Sequence, residues 1–365
     1  MELHTYGKFI SISLAAALAV TAAAAQAEDN IKVYGKARAS VDITDNGTAS
    51  ASNVSSNSSR LGFKGVEDLG NGLKAVFQME TLVTMDGSDS LLLGTPRNSY
   101  LGLAGGFGTL VLGVTDNAYK LATGKLDIWS DSMGDFNAII GNVSGASTPF
   151  NEREPSSINY WSPKMNGFQF LAAYRVDEDA ANNRDRYSLA GVYENGPLYA
   201  SLAYEQHRKE ATLSGSIYSS TTPPTGAHIY DTHAWTLSLG YTFNHDNTKI
   251  NFVYEDLSQD GAATLMDRNA WYLGLAHKMA ANTLKIAYAR AGDNDTGGDT
   301  GADWYVLGLD HALSKRTSVY ALYARTDNES GAKYGLGTGG SSGAVKNSTN
   351  GLDLSTFSVG INHDF

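Results

Sequence analysis

Apolar and polar residues alternate along most of this chain. At its start, Ile31, Val33, Ala37, Ala39, Val41 and Ile43 fall on one side of an extended backbone, and Lys32, Tyr34, Lys36, Arg38, Ser40 and Asp42 on the other. A period of two over a dozen residues predicts a β-strand, because a helix would scatter these apolar positions around its circumference. The chain ends the same way. Phe357, Val359, Ile361, His363 and Phe365 alternate with Ser358, Gly360, Asn362 and Asp364.

Fourteen further strands are predicted between these two, each bounded by clusters of Gly, Asn, Asp or Ser. They centre near Leu61, Phe77, Tyr100, Leu110, Ile158, Phe170, Leu189, Leu202, Leu237, Phe252, Leu273, Ile286, Leu307 and Ala321, which makes sixteen in all. Several carry aromatic residues near their ends, as in Trp235-x-Leu237-x-Leu239-x-Tyr241-x-Phe243. Aromatic ends fit the girdles that flank a lipid-facing band. Connection lengths also alternate. Short ones such as Glu194-Asn195-Gly196-Pro197, Asn244 to Thr248 and Ser314-Lys315-Arg316 contrast with long ones at Thr115 to Phe150, Arg208 to Asp231, Leu257 to Asn269 and Asn328 to Gly351. Short turns at one end and long loops at the other predict a closed, all-β, 16-stranded antiparallel transmembrane barrel. Strands of about 9 to 11 residues suffice to cross at a tilt. A soluble β-sandwich also alternates, but closure answers the unprotected edges that so many strands would otherwise leave.

The first 27 residues read differently. Lys8 precedes an apolar, Ala-rich run from Phe9 to Ala25 that ends in Ala25-Gln26-Ala27, the layout of a secretory signal with a small-x-small cleavage site. Residues 1–27 are therefore expected to be removed, leaving 28–365 as one barrel domain exported through the periplasm. Past this leader no apolar run approaches the 20 or so residues of a membrane-spanning helix. The chain has 365 residues, no Cys and a formal charge of -11. An acidic chain lacks the basic face that a nucleic-acid partner requires, and without disulfides its stability must come from the fold or from assembly. No chemistry stands out. The eight His residues are scattered, with no pair at metal-ligand spacing on a helix and no recognisable Ser/His/Asp set, so neither an enzyme nor a bound metal is expected. The rarer barrels that are phospholipases or proteases remain a second class, to be excluded by assay.

The run Ser59-Arg60-Leu61-Gly62-Phe63-Lys64-Gly65-Val66-Glu67-Asp68-Leu69-Gly70-Asn71-Gly72-Leu73 resembles the second strand and following turn of the general trimeric porins of the Gram-negative outer membrane. Val33-Tyr34-Gly35-Lys36, Arg97-Asn98-Ser99-Tyr100-Leu101-Gly102-Leu103, Gly105-Gly106-Phe107-Gly108-Thr109, Ser314-Lys315-Arg316-Thr317 and the terminal Phe365 extend the resemblance over the whole mature chain. It implies an outer-membrane homotrimer, embedded among lipid and lipopolysaccharide, delivered by the barrel-insertion machinery, and open to ions and small hydrophilic solutes by passive diffusion without a cofactor. Phe365 is the implied insertion signal. The chain departs from the family at His363, where Tyr is usual.

The resemblance further implies a third loop folded into the lumen, with acidic residues opposite a basic wall. Matched motif by motif, the wall falls on Lys36, Arg60, Arg97 and Arg153, and Arg38 shares the polar face of Lys36. The acidic side falls on Asp116, Asp127, Asp131 and Asp135. The last three recur every fourth residue, so a helical turn would align them on one face. The segment Met85 to Pro96, with Leu91-Leu92-Leu93, is the expected latch onto a neighbouring barrel. A channel specific for a sugar or an anion is the alternative reading; an aromatic track or extra loop lysines would favour it.

Overall fold

The computed structural model describes residues 31–87, 93–143, 150–178, 184–213, 216–218, 228–243, 247–261, 267–295, 297–338, 340–346 and 349–365. The expected leader, 1–27, and the Leu91-Leu92-Leu93 centre of the expected latch lie wholly or mostly outside them.

All sixteen expected strands form, and they close on themselves. They are β1 (Lys32–Asp45), β2 (Ser50–Ser56 and Arg60–Gly70), β3 (Leu73–Val83), β4 (Leu93–Pro96 and Ser99–Gly105), β5 (Gly108–Asp116), β6 (Arg153–Trp161), β7 (Phe168–Arg175), β8 (Arg186–Asn195), β9 (Leu198–Leu213), β10 (His228–Phe243), β11 (Thr248–Gln259), β12 (Arg268–Met279), β13 (Asn282–Ala291), β14 (Ala302–Ala312), β15 (Thr317–Asn328) and β16 (Leu354–Asp364). Each pairs antiparallel with the next, and β16 returns to β1 with Val41 opposite Val359 and Ile43 opposite Phe357. Closure gives each of these sixteen strands a partner on both sides.

The faces are inverted relative to a soluble sheet. Val41, Ile43, Leu237, Leu273, Ile286, Leu307, Val359 and Ile361 point outward and are exposed, whereas Ser40, Asp42, Thr236, Ser238, Asn251 and Ser358 point inward and are buried. Lipid covers such an outer band, and aromatic pairs rim it at both ends. Tyr204 with Trp235 and Trp271 with Tyr288 lie on the long-loop side, and Phe168 with Tyr193 on the short-turn side. Among the described residues no helix is long and apolar enough to cross a membrane.

Two expected long loops are shorter than the residue pattern suggests. Pairing continues past Leu257 to Gln259, and past Arg208 a bulge between His207 and Glu210, with Lys209 at φ +51°, absorbs one register error and lets β9 and β10 run on. A short strand, Ser216–Tyr218, pairs back onto the end of β9. Breaks in β2 and β4 matter more for function. Ser58 at φ +51° interrupts β2 just before Arg60, and Pro96, which has no N–H, ends the first piece of β4 just before Arg97. Both breaks leave an arginine at the edge of an interrupted ladder, free to lean into the lumen.

Candidate functional site: a loop-lined constriction

The third loop, described at residues 117–143 and 150–152, crosses the barrel interior. It starts with helix α1 (Ala118–Thr123), capped by the Asn117 side chain, which accepts from the Lys120 N–H at 2.8 Å. The turn then docks on the far wall. Tyr199 and Ser201 of β9 both donate to the Ala122 carbonyl, at 2.6 and 3.0 Å, and the Asn251 amide of β11 donates to the Leu126 carbonyl at 2.7 Å. Glu255 of β11, fully buried, is a further anchor. It accepts from Tyr119 Oη and from the Gly141 N–H, each at 2.7 Å, and pairs with Arg268 of β12 at 3.0 Å. Arg268 also donates to the carbonyls of Ile139 and Asn142. Around these polar ties, Leu126, Trp129, Met133, Phe136, Ile139 and Ile140 pack against Val253, Tyr272, Trp304, Val306 and Leu322. Burying each such side chain contributes about 1.5–3 kcal/mol, so the loop is held as firmly as a domain core.

The last long loop, described at residues 329–338, 340–346 and 349–353, folds over it. Thr338 donates to the Asn137 carbonyl at 3.2 Å, and Tyr334 and Leu336 are buried. At Gly340 the two backbones nearly touch: a Cβ there would lie 2.5 Å from the Asp131 Cα.

With its apolar face so held, the loop presents one edge to β1 and β2. Asp131 sits on this edge at φ +58°. Its Oδ2 accepts from Arg38 Nη1 and from Arg60 Nη1, both at 3.0 Å, and Arg38 also donates to the Ser130 carbonyl at 3.2 Å. Burial pushes the Asp131 carboxyl up, but Arg60, Arg38, Arg97 and Lys36 outweigh it and hold it below the ordinary range. Next along the wall, Arg97 pairs with Glu80 at 2.8 Å, and Arg153 pairs with Asp116 at 3.0 Å while donating to Asn98 at 2.9 Å. Lys36, directly opposite Arg60 across β1 and β2, forms no ion pair among the described residues.

The five expected basic residues thus lie along one continuous stretch of inner wall, β1 to β6. The acidic side departs from the helical alignment that its spacing suggested. Residues 127–135 are turns, since Asp131 adopts positive φ and Gly134 is wedged against Trp129 and Val306. Asp127 turns inward and accepts from the N–H groups of Trp129 and Phe136, at 2.9 and 3.2 Å. Asp135 accepts from those of Asn137 and Asp131, at 2.9 and 3.0 Å. Burial raises both, Asp127 well above its ordinary value with Asp135 adding to the rise, and Asp135 to about 6. They brace the loop, and Asp131 alone of the three meets the arginines. Asp116 stands on the barrel wall at the end of β5, not in the loop.

Sequence reading missed Glu80, which pairs with Arg97 and accepts from Tyr34 Oη at 2.9 Å. Its place on the same face of β3 as Gln78 was the available signal. Also missed was a buried group of Glu154, Glu205 and His207 on β6 and β9, within ligand distance of one another. Arg186 supplies positive charge there, 3.0 Å from Glu154, and Phe150 stacks on His207.

A profile of the family described as Gram-negative porin matches residues 14–332. The major outer membrane protein P.IB of Neisseria meningitidis serogroup B is 30% identical over 319 residues, covering 83% of this chain and 89% of the relative. P.IB of Neisseria gonorrhoeae is 27% identical, covering 83% and 90%. Among solved structures, an anion-selective porin from Comamonas acidovorans superposes with a TM-score of 0.76 at 26% identity, covering 93% of this chain and all of that one. Salmonella typhi OmpF, at 16% identity and a TM-score of 0.66, shares the fold. The closed sixteen-stranded wall, the loop laid across its interior and these matches together place the chain in the Gram-negative porin family, as an outer-membrane channel for passive diffusion.

Proposed function

We propose that the passage narrows between Asp131 and the basic wall of Lys36, Arg38, Arg60, Arg97 and Arg153, and that this narrowing prefers small anions. One observation carries the reading: a single loop carboxylate is shared by two arginines, so the strip is under-neutralised where the loop comes nearest the wall. Arg97 and Arg153 each have one carboxylate, and Lys36 adds charge without an ion pair. Arginine stays protonated at any physiological pH. Charge fixed at a low-dielectric wall raises the local concentration of the opposite ion, and selectivity then follows from diameter and charge. Asp116, Asp127 and Asp135 shape this strip and brace the loop rather than facing the solute. The net charge of -11 does not oppose anion preference, because charge in the external loops is screened beyond about 8 Å.

The chain works as a homotrimer in this reading, as the resemblance implies, with residues 1–27 removed on export and Phe365 read at insertion. Passage involves no chemical step. Reversal potentials under a potassium chloride gradient test the assignment. Wild type should favour chloride, and Arg38→Glu/Arg60→Glu should favour potassium. A potential unchanged by the double reversal would remove these arginines from the path.

A further inference from the structure

A second charged feature lies inside the barrel, nearer the short-turn end. Lys32 of β1 and Lys64 of β2 are direct cross-strand partners, and Lys64 is in turn opposite Gln78 of β3. Like charges directly opposite in a sheet repel and destabilise the pair. Lys74, at the start of β3, adds a third. All three are exposed, and none forms an ion pair among the described residues. Asp68, opposite Lys74, is the carboxylate in register with them, and its Oδ1 accepts from the Gly70 N–H at 2.8 Å. With Gln78, Tyr100 and Trp161 the lysines line a recess of about 620 Å³, distinct from the space beside Asp131. Lys64 is braced over the Tyr34 ring, 4.9 Å from its centre. The polar register of β1 leads from this recess straight to the constriction, through Lys32, Tyr34, Lys36 and Arg38.

We propose that Lys32, Lys64 and Lys74 form a binding site for small oxyanions of charge two or more, at the periplasmic mouth of the channel. Three flexible ammonium groups with no ion-pair partners hold a multivalent oxyanion better than chloride, because each oxygen can take its own charge-assisted hydrogen bond. The inference rests on the reading that ions pass along this lumen, and it extends the preference from anions in general to multivalent ones held at one end. A multiply charged anion seated there blocks chloride until it leaves.

Inorganic pyrophosphate is the probe, added to one chamber and then the other of a planar bilayer that holds folded channels in 0.1 M potassium chloride. Wild type should be blocked more strongly from one side. Lys32→Gln/Lys64→Gln/Lys74→Gln should raise the half-blocking concentration at least tenfold, while keeping wild-type conductance in 1 M salt, where screening acts within about 3 Å and only pore size is read. Arg38→Gln/Arg60→Gln, which tests the constriction reading, should shift the reversal potential and leave pyrophosphate block within about twofold. A triple variant blocked as wild type is, or block abolished by the arginine changes instead, would overturn the lysine site. The constriction reading stands or falls separately, on the reversal potential of the arginine variant.

Discussion

Gly35 and Phe365 exchange both of their backbone hydrogen bonds, N–H to carbonyl at 3.0 Å in each direction, and the phenyl ring lies across the glycine. The last residue of the chain therefore completes the seam between β1 and β16. A Cβ on Gly35 would lie 2.3 Å from Phe365 Cζ and 2.6 Å from the Arg60 carbonyl oxygen. Gly35→Ala should lower the temperature at which the folded barrel loses its compact gel mobility. Phe365→Ala removes the ring contact and leaves the Arg60 carbonyl contact, so Gly35→Ala/Phe365→Ala should lose less than the sum of the two single losses. Additive losses would show that the ring is not what excludes a side chain there.

The buried Glu255–Arg268 pair is the next test. Removing one partner of such a pair leaves an uncompensated charge and costs about 3–5 kcal/mol. In this barrel the cost falls on loop docking, because the same carboxylate holds Tyr119 and the Gly141 N–H. Arg268→Leu should leave the barrel folded while exposing Lys120 and Lys125 to trypsin and adding noise to open-channel current. Quiet currents and unchanged digestion would assign loop position to the apolar contacts alone.

Loop docking should also depend on pH. The folded loop holds Asp135 protonated up to about pH 6, whereas a free Asp ionises near 3.9. A carboxyl whose folded value is raised contributes stability at low pH and loses it as pH climbs from the free value to the folded one. Docking should weaken between about pH 4 and 6, with no further change from Asp135 above that. Asp131, held below its ordinary value, acts in the opposite sense and contributes only once pH exceeds the acid range. Asp135→Asn keeps an oxygen for the Asn137 N–H and removes that ionisation, so its current noise should rise less steeply than the wild type's from about pH 4 to 6, the remaining slope being that of Asp127, which burial also raises. An equally steep rise in the variant would contradict the assignment.

Gly340 is predicted to be a second handle on the loop. Gly340→Ala places a methyl group 2.5 Å from the Asp131 Cα, so one of the two loops must move. Single-channel conductance should change although residue 340 lines no part of the basic wall. Wild-type conductance would mean that the outer loop yields instead.

The strands were legible because lipid and water enforce a strict period of two, and that pattern located all sixteen, with Leu61, Leu237 and Leu307 each inside its element. The inward placement of Lys36, Arg38 and Arg60 was legible for the same reason, since they stand opposite the apolar face of their own strands, whereas Arg97 and Arg153 were expected from the resemblance alone. The loop was not legible. Its apolar residues from Leu126 to Ile140 face a wall more than a hundred residues away in sequence, and the carboxylate that anchors it, Glu255, is marked by no local pattern. A four-residue spacing suggested a helical stripe of aspartates, yet local capping claimed two of them. Asp127 and Asp135 satisfy loop N–H groups that a helix would have satisfied internally.

The absence of any Cys in the chain makes the most direct test simple, since one introduced thiol is the only one. Asp131→Cys and Asp135→Cys channels would be recorded before and after a bulky, water-soluble methanethiosulfonate reagent is added. If Asp131 faces the narrowest part of the path, its modification should at least halve the single-channel current within seconds, while Asp135→Cys, buried behind it, should react slowly and change little. Full current through modified Asp131→Cys channels, or equal block at both positions, would contradict the constriction proposed here.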